Sequence, residues 1–243
     1  MALMFGAFAA LGNLLGGIVL AVRRQWDRRF LRYFIAVGAG FMLAAVILRI
    51  IPESIELMGS GTKAGLFILI GYLLVHFSEH VMASHFHFGE ETHEDALLKT
   101  STGLWAVAGL AIHAFFDGVS IASGFFVSSA LGVLIFFAVI LHKLPEGFTV
   151  ASIMLASGKG TKTAVGAAGV IALATLMGTV LMSPLRSLVQ YSLALSAGVT
   201  IYVGASDLIP EANEEKGVKM AAVVIGGVLI FYLAERALGF VTG

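Results

Sequence analysis

Two short stretches of this chain could do chemistry together: His113-Ala114-Phe115-Phe116-Asp117-Gly118 and His142-Lys143-Leu144-Pro145-Glu146-Gly147. In each, a histidine and a carboxylate stand four positions apart, which places both on one face of a helix, a turn from each other. An offset of 29 residues superposes His113 on His142, Asp117 on Glu146, Gly118 on Gly147 and Ala122-Ser123 on Ala151-Ser152. Two imidazoles and two carboxylates without a thiolate suit borderline divalent ions: Zn²⁺, and also Fe²⁺, Mn²⁺ or Co²⁺. A solitary histidine at helical spacing is more often a hydrogen-bonded structural residue, so it is the duplication that points to a metal.

The elements that position these groups are membrane-spanning. The chain has 243 residues, 58% hydrophobic and 12% charged, with a mean hydropathy of +0.96, far too apolar for a soluble domain of that size. Its apolar runs are long and do not alternate, which predicts helices rather than a barrel. Eight spans are expected, near 2–22, 31–51, 64–83, 103–125, 130–156, 163–183, 188–209 and 218–239. They form one all-α transmembrane bundle over residues 1–243. The first run begins at Met1 without a basic lead, which fits a retained helix better than a cleaved signal. Ionisable groups at bilayer depth face a bundle interior, pair or bind an ion, so the two stretches are the default functional site.

Arg23, Arg24, Arg28, Arg29, Arg32, Lys159, Lys162, Lys216 and Lys219 all fall in connections on one side, whereas the other side has little beyond Lys63 and Arg186. The excess marks the cytoplasmic side and predicts both termini outside. A net charge of zero gives no reason to expect a nucleic-acid partner, and the absence of cysteine excludes disulfides. The one long connection, 83–102, lies on the cytoplasmic side and carries His85, His87 and His93 among acids; its composition suits exchangeable metal capture as well as it suits a solvated loop. His76 and His80, near Glu79, are expected at the interface or along a pathway.

A second repeat relates Gly40 to Pro52-Glu53 with Gly198 to Pro210-Glu211, on spans that run in opposite directions. Inverted repeats of this kind would put Glu53 at the outer mouth and Glu211 at the inner one. Arg49 aligns with Asp207. Arg49 has Glu53 at i+4 and is expected to be held by it; Asp207 has Glu211 at i+4, a repelling pair expected to form the inner exit for a cation. Counting back from a turn near Ser128 puts His113 and His142 at matching depth, and Pro145 leaves the Leu141 carbonyl without its helical donor beside them.

With these motifs in hand, the chain resembles the ZIP transporters of zinc and other divalent cations. The resemblance covers essentially the full length: span count, His-rich loop after the third span, the two histidine-carboxylate-glycine motifs, and the Pro-Glu stretches of the second and seventh spans. It implies eight helices in inverted repeats (3+2+3), and import of divalent metal toward the cytoplasm by an elevator-like alternating access. Zinc is foremost, with iron, manganese, cobalt or cadmium as alternatives. Many members are homodimers. The metal is substrate, not cofactor, and the protein is no enzyme; it would sit in the plasma membrane, or the inner membrane of a bacterium. By position, His113, Asp117, His142 and Glu146 match the family's primary transport site. Ala114 and Lys143 depart from the pattern, and the sixth span has no acid, so the second metal position of some members is expected to be absent. The Lys143 ammonium either stands in for that missing cation or snorkels to a water cavity. Two other classes fit a His/carboxylate site: an intramembrane metal-dependent hydrolase, and a metal-binding receptor that does not transport. The hydrolase reading lacks His-Glu-x-x-His, and Ser123 lacks a Gly-x lead.

Overall fold

The computed structural model describes residues 1–22, 28–82, 100–214 and 217–242. Arg23, Arg24, Lys216, His85, His87 and His93 lie outside the described residues, as does most of the 83–102 connection. Among the described residues, eight helices are long and apolar enough to cross a membrane: α1 (Ala2–Val22), α2 (Leu31–Met58), α3 (Gly61–Val81), α4 (Gly103–Val127), α5 (Ser129–Ala156), α6 (Thr161–Leu181), α7 (Arg186–Asn213) and α8 (Val218–Leu238). Among the described residues there is no strand. Consecutive spans alternate in direction. The helix ends at Val22, Ala156, Thr161, Asn213 and Val218 share a basic face, and those at Ala2 and Leu238 lie at the opposite face.

The expected turn between α4 and α5 is present. Ser128 is extended, and its Oγ accepts from the Leu131 amide at 3.1 Å, capping α5. The turn after α2 uses Gly59 at φ 62°, a left-handed conformation that favours glycine. Within α5 the helix stays continuous through Pro145.

Two helices are longer than the hydropathy reading gives. The Ile-Pro-Glu stretches were expected to lie at the ends of α2 and α7, near residues 51 and 209, yet the helices continue to Met58 and Asn213. Each absorbs its proline with a π-helical segment just before it, Val46–Ile50 in α2 and Val203–Leu208 in α7. The closing bonds match, Ile51 N–H to Val46 O and Ile209 N–H to Gly204 O, at the same offset of 158 residues as the sequence repeat. A π turn adds a residue to the helix and rephases the faces beyond it, letting proline follow without ending the helix.

Glycine sets how closely the helices approach. A Cβ on Gly118 of α4 would fall 1.9 Å from Thr175 O of α6, and one on Gly178 of α6 would fall 2.0 Å from Phe115 O of α4. The same reciprocal contact joins α5 to α1, with Gly147 at 1.9 Å from Asn13 O and Gly16 at 2.2 Å from Leu144 O. It recurs between α2 and α8 (Gly40 to Val224 O, 2.0 Å; Gly227 to Val37 O, 2.2 Å) and between α7 and α3 (Gly198 to Ile68 O, 1.8 Å; Gly71 to Leu195 O, 2.0 Å). Small residues permit such backbone contact in a bilayer, where apolar burial gives helices little reason to associate. The four contacts form two symmetric pairs. One operation exchanges α1 with α6, α2 with α7, α3 with α8 and α4 with α5, so the whole bundle is an inverted repeat.

Within that scheme α1, α4, α5 and α6 pack on one another, while α2 with α8 and α3 with α7 flank them. The flanking pairs touch the central four chiefly through α2 on α5 and α7 on α4. Large apolar side chains of α3 and α8, such as Phe77 and Leu233, point outward, as a lipid-facing surface requires.

Candidate metal centre

His113 and Asp117 from α4 and His142 and Glu146 from α5 converge in the bundle interior, none more than 5% exposed. One ligand atom from each of the four can be chosen so that all lie within 4.8 Å of one another. The two imidazoles point Nε2 atoms at each other, 3.4 Å apart, and Asp117 Oδ2 lies 3.0 Å from that of His113 and 3.2 Å from that of His142. A tetrahedral ion with bonds of about 2.0–2.1 Å holds neighbouring ligand atoms about 3.3 Å apart. These three atoms therefore already stand at ligand spacing. His142 Nδ1 lies 3.0 Å from Ala138 O. A carbonyl only accepts, so Nδ1 carries a proton and Nε2 is the ring nitrogen left to ligate an ion.

Lys143 is among the largest fully buried side chains of the described residues, at 0% exposure. Its ammonium lies 2.6 Å from Asp117 Oδ2 and 2.5 Å from Glu146 Oε2. A side chain reaching for water would not bridge two buried carboxylates, so the ammonium offsets the charge of Asp117 and Glu146. Asp117 Oδ2 thus faces three nitrogens, from His113, His142 and Lys143. Glu146 Oε1, by contrast, is buried with no hydrogen-bond partner, and an unused carboxylate lone pair in a dry interior is what an incoming cation would satisfy.

Asn13 of α1 was missed by sequence reading. It is fully buried, and with its amide nitrogen turned to the acceptors it donates to Lys143 O at 2.6 Å and Glu146 Oε2 at 3.2 Å. A polar residue within a glycine-rich, otherwise apolar first span was the available signal.

A cavity leads away from the cluster toward the end of α7. Its lining runs from His113, His142 and Glu146 past Thr149 to Asp207 and Glu211, near the end of α7 at the basic face, and includes Glu79 of α3. Asp207 and Glu211 therefore share a cavity with His113, His142 and Glu146. Glu79 was noticed only as a neighbour of His76 and His80. Those two rings are exposed and stack on each other at 4.0 Å between centroids, away from the four-residue cluster. Toward the opposite face the interior is packed with Ile121, Leu131, Ile135, Val139 and Leu193, with Phe5 wedged against Phe125 and Phe136 at 4.8 Å each.

Arg49 corrects the reading. It makes its ion pair with Glu235 of α8, Nε to Oε1 at 3.4 Å, and not with Glu53. Arg49 lies inside the π segment, where four positions no longer bring side chains onto one face, so the i+4 argument that paired it with Glu53 does not hold there. Glu53 is half-buried in the continuation of α2, short of its end. Ser123, weighed above against a serine-hydrolase motif, is buried and hydrogen-bonded to Ser192 of α7 at 2.8 Å.

The family model described as ZIP Zinc transporter matches residues 89–235. The chain belongs to the ZIP zinc transporter family. It is 24% identical over 211 residues to the Zinc transporter YKE4 of Saccharomyces cerevisiae, covering 74% of this chain and 61% of that protein. Over 161 residues it is 26% identical to the Zinc transporter ZIP9 of Micropogonias undulatus, covering 61% of this chain and 51% of ZIP9. Similarity to the Zinc transporter ZupT of Chlorobium luteolum, 27% over 237 residues, covers 88% of each. The chain thus spans only about half to three fifths of the first two relatives, and nearly all of the third. ZIP family membership and the eight apolar helices make this an integral membrane protein.

Proposed function

We propose that this ZIP family protein carries divalent metal ions, zinc foremost, across its membrane toward the basic face, which is the cytoplasmic one, with both termini outside. The observation that carries the reading is the buried cluster of His113, Asp117, His142 and Glu146, three of which share a cavity with Asp207 and Glu211 near the basic-face end of α7. Iron, manganese, cobalt and cadmium meet the same donor set. A cavity reaching Glu79, Asp207 and Glu211 on one side and a phenylalanine-filled interior on the other is what a carrier held open inward would have.

Transport then requires the closed side to open and the open side to close. The separate packing of α1, α4, α5 and α6 supports an elevator-like step in which these four carry the site past the flanking pairs. The tight glycine contacts of α4 on α6 and α5 on α1 lie inside the moving set, and those of α2 on α8 and α3 on α7 inside the fixed one, so the step breaks none of them. Lys143 sets the charge. Two carboxylates and one ammonium leave the site one negative charge with neutral histidines, and a bound dication would crowd the ammonium. The ion therefore takes the Lys143 position at Asp117 and Glu146, and the ammonium swings back when the ion leaves. In this way the empty site avoids two uncompensated buried carboxylates on the return step. Asp207 and Glu211 receive the ion on its way out, and the 83–102 connection with His85, His87 and His93 tunes capture or release without being required.

Zinc uptake by the purified protein in liposomes holding an indicator tests this. Wild-type protein should fill the vesicles and His113→Ala should not. Zinc binding without flux would favour a receptor, and product release without flux a hydrolase.

A further inference from the structure

The exchange of α2 with α7 and α3 with α8 has a consequence for charge. The glycine contacts fix the equivalences, Gly40 with Gly198 and Gly71 with Gly227, hence Arg49 with Asp207 and Glu79 with Glu235. Buried partners agree, since Val75 and its equivalent Phe231 are both fully buried, and the stacked pair His76 and His80 falls on Tyr232 and Arg236, which are also in contact. On the inner side, then, the equivalent positions hold two carboxylates, Glu79 and Asp207, lining one cavity. On the outer side they hold an ion pair, Arg49 with Glu235 at 3.4 Å. The fold repeats the position and the sequence cancels the charge.

We propose that Arg49 sets how strongly the outer mouth captures cations: by neutralising Glu235, it lowers the pull that this face exerts on arriving cations, while the equivalent inner mouth stays acidic. The proposal rests on the transport reading above. Ser120 supports the outer assignment independently. It is the equivalent of the cavity-lining Thr149, and its buried hydroxyl has no hydrogen-bond partner, as expected of a group that faces a pathway only when the outer side opens. Arg49 and Glu235 keep partial exposure, 38% and 28% of their side chains, so their charges are felt by ions near that face. Removing one unit charge about 10 Å from a dication's path in a watery mouth changes its local concentration about fourfold at low salt.

The test is initial zinc uptake into proteoliposomes containing protein in one orientation, with zinc offered at the face of the two termini. Arg49→Gln should lower KM about fourfold with the saturating rate kept, and Glu235→Gln should raise it. The double variant Arg49→Gln/Glu235→Gln and the charge-conserving Arg49→Lys should both stay near wild type. The shifts should fade as salt rises past a Debye length of about 8 Å at physiological strength. They should be absent when zinc is offered at the basic face. A merely structural ion pair would instead lower the saturating rate or the folded yield in both single variants, without salt dependence. Equal KM for wild type and Arg49→Gln, in vesicles where wild type transports, overturns this proposal and leaves the transport reading standing; no uptake by wild type overturns the transport reading itself.

Discussion

The halves of the bundle on either side of His113 and His142 are built alike and filled differently. Both rest on reciprocal glycine contacts, both carry a helix that passes a proline through a π turn, and both put a glutamate just beyond that proline. Yet the half toward the basic face holds a cavity with Thr149, Asp207, Glu211 and Glu79, and the opposite half is packed with Phe5, Phe125, Phe136 and aliphatic side chains. Since the backbone scheme is shared, the difference belongs to the state of the molecule and to a few side chains. The alternate state should show the reverse, with Ser120 where Thr149 now stands. What the exchange cannot equalise is charge, because Arg49 stands opposite Asp207.

Breaking the centre that both halves share should have the largest effect. His113→Ala or Glu146→Ala should cut zinc affinity and uptake at least about 100-fold, since removing even a supporting group beyond the ligands typically costs 10–100-fold; calorimetry and vesicle flux read both. Lys143→Met should tighten zinc binding about tenfold or more, by removing the ammonium that competes for Asp117 and Glu146. It should also slow turnover, because the ion-free site would keep two uncompensated carboxylates. Unchanged affinity in a folded Lys143→Met protein would rule out the displacement step.

The shared scaffold comes next. Gly147→Ala drives a Cβ into the Asn13 carbonyl, and overpacking of this kind costs about 1–3 kcal/mol. Gly109→Ala meets nothing within 4 Å and should leave the melting temperature in detergent unchanged or raised. Equal melting for the two variants would remove the glycine contacts as the basis of the symmetry. The smallest effect is expected at the inner mouth, where Asp207→Asn should slow zinc release a few-fold and spare central affinity. Wild-type flux at all zinc concentrations would exclude an exit role.

Much of this was legible in the sequence, for identifiable reasons. The site was readable because its chemistry is written twice at fixed spacing, in His113/Asp117 and His142/Glu146. The α2 and α7 repeat was readable because proline and glutamate are uncommon within spans. Its companions were not: α1 and α6, like α3 and α8, match mainly at glycines and at Glu79 and Glu235, too few positions to stand out among apolar residues. Helix length was misjudged because hydropathy sees a proline and an acid as an end, whereas the π turn makes them a continuation. The Arg49–Glu235 pair joins helices far apart in the chain, and no local spacing predicts it. Asn13 reaches Glu146 only because Gly16 and Gly147 bring α1 against α5.

The central claim is that one divalent ion binds among His113, Asp117, His142 and Glu146, and a zinc-edge anomalous difference map of the zinc-loaded protein tests it most directly. The account predicts a single strong peak bonded to both Nε2 atoms and to Asp117 and Glu146, with Lys143 Nζ drawn away from those carboxylates. Ordered zinc bound only elsewhere, with the Lys143 ammonium still bridging Asp117 and Glu146, would contradict it.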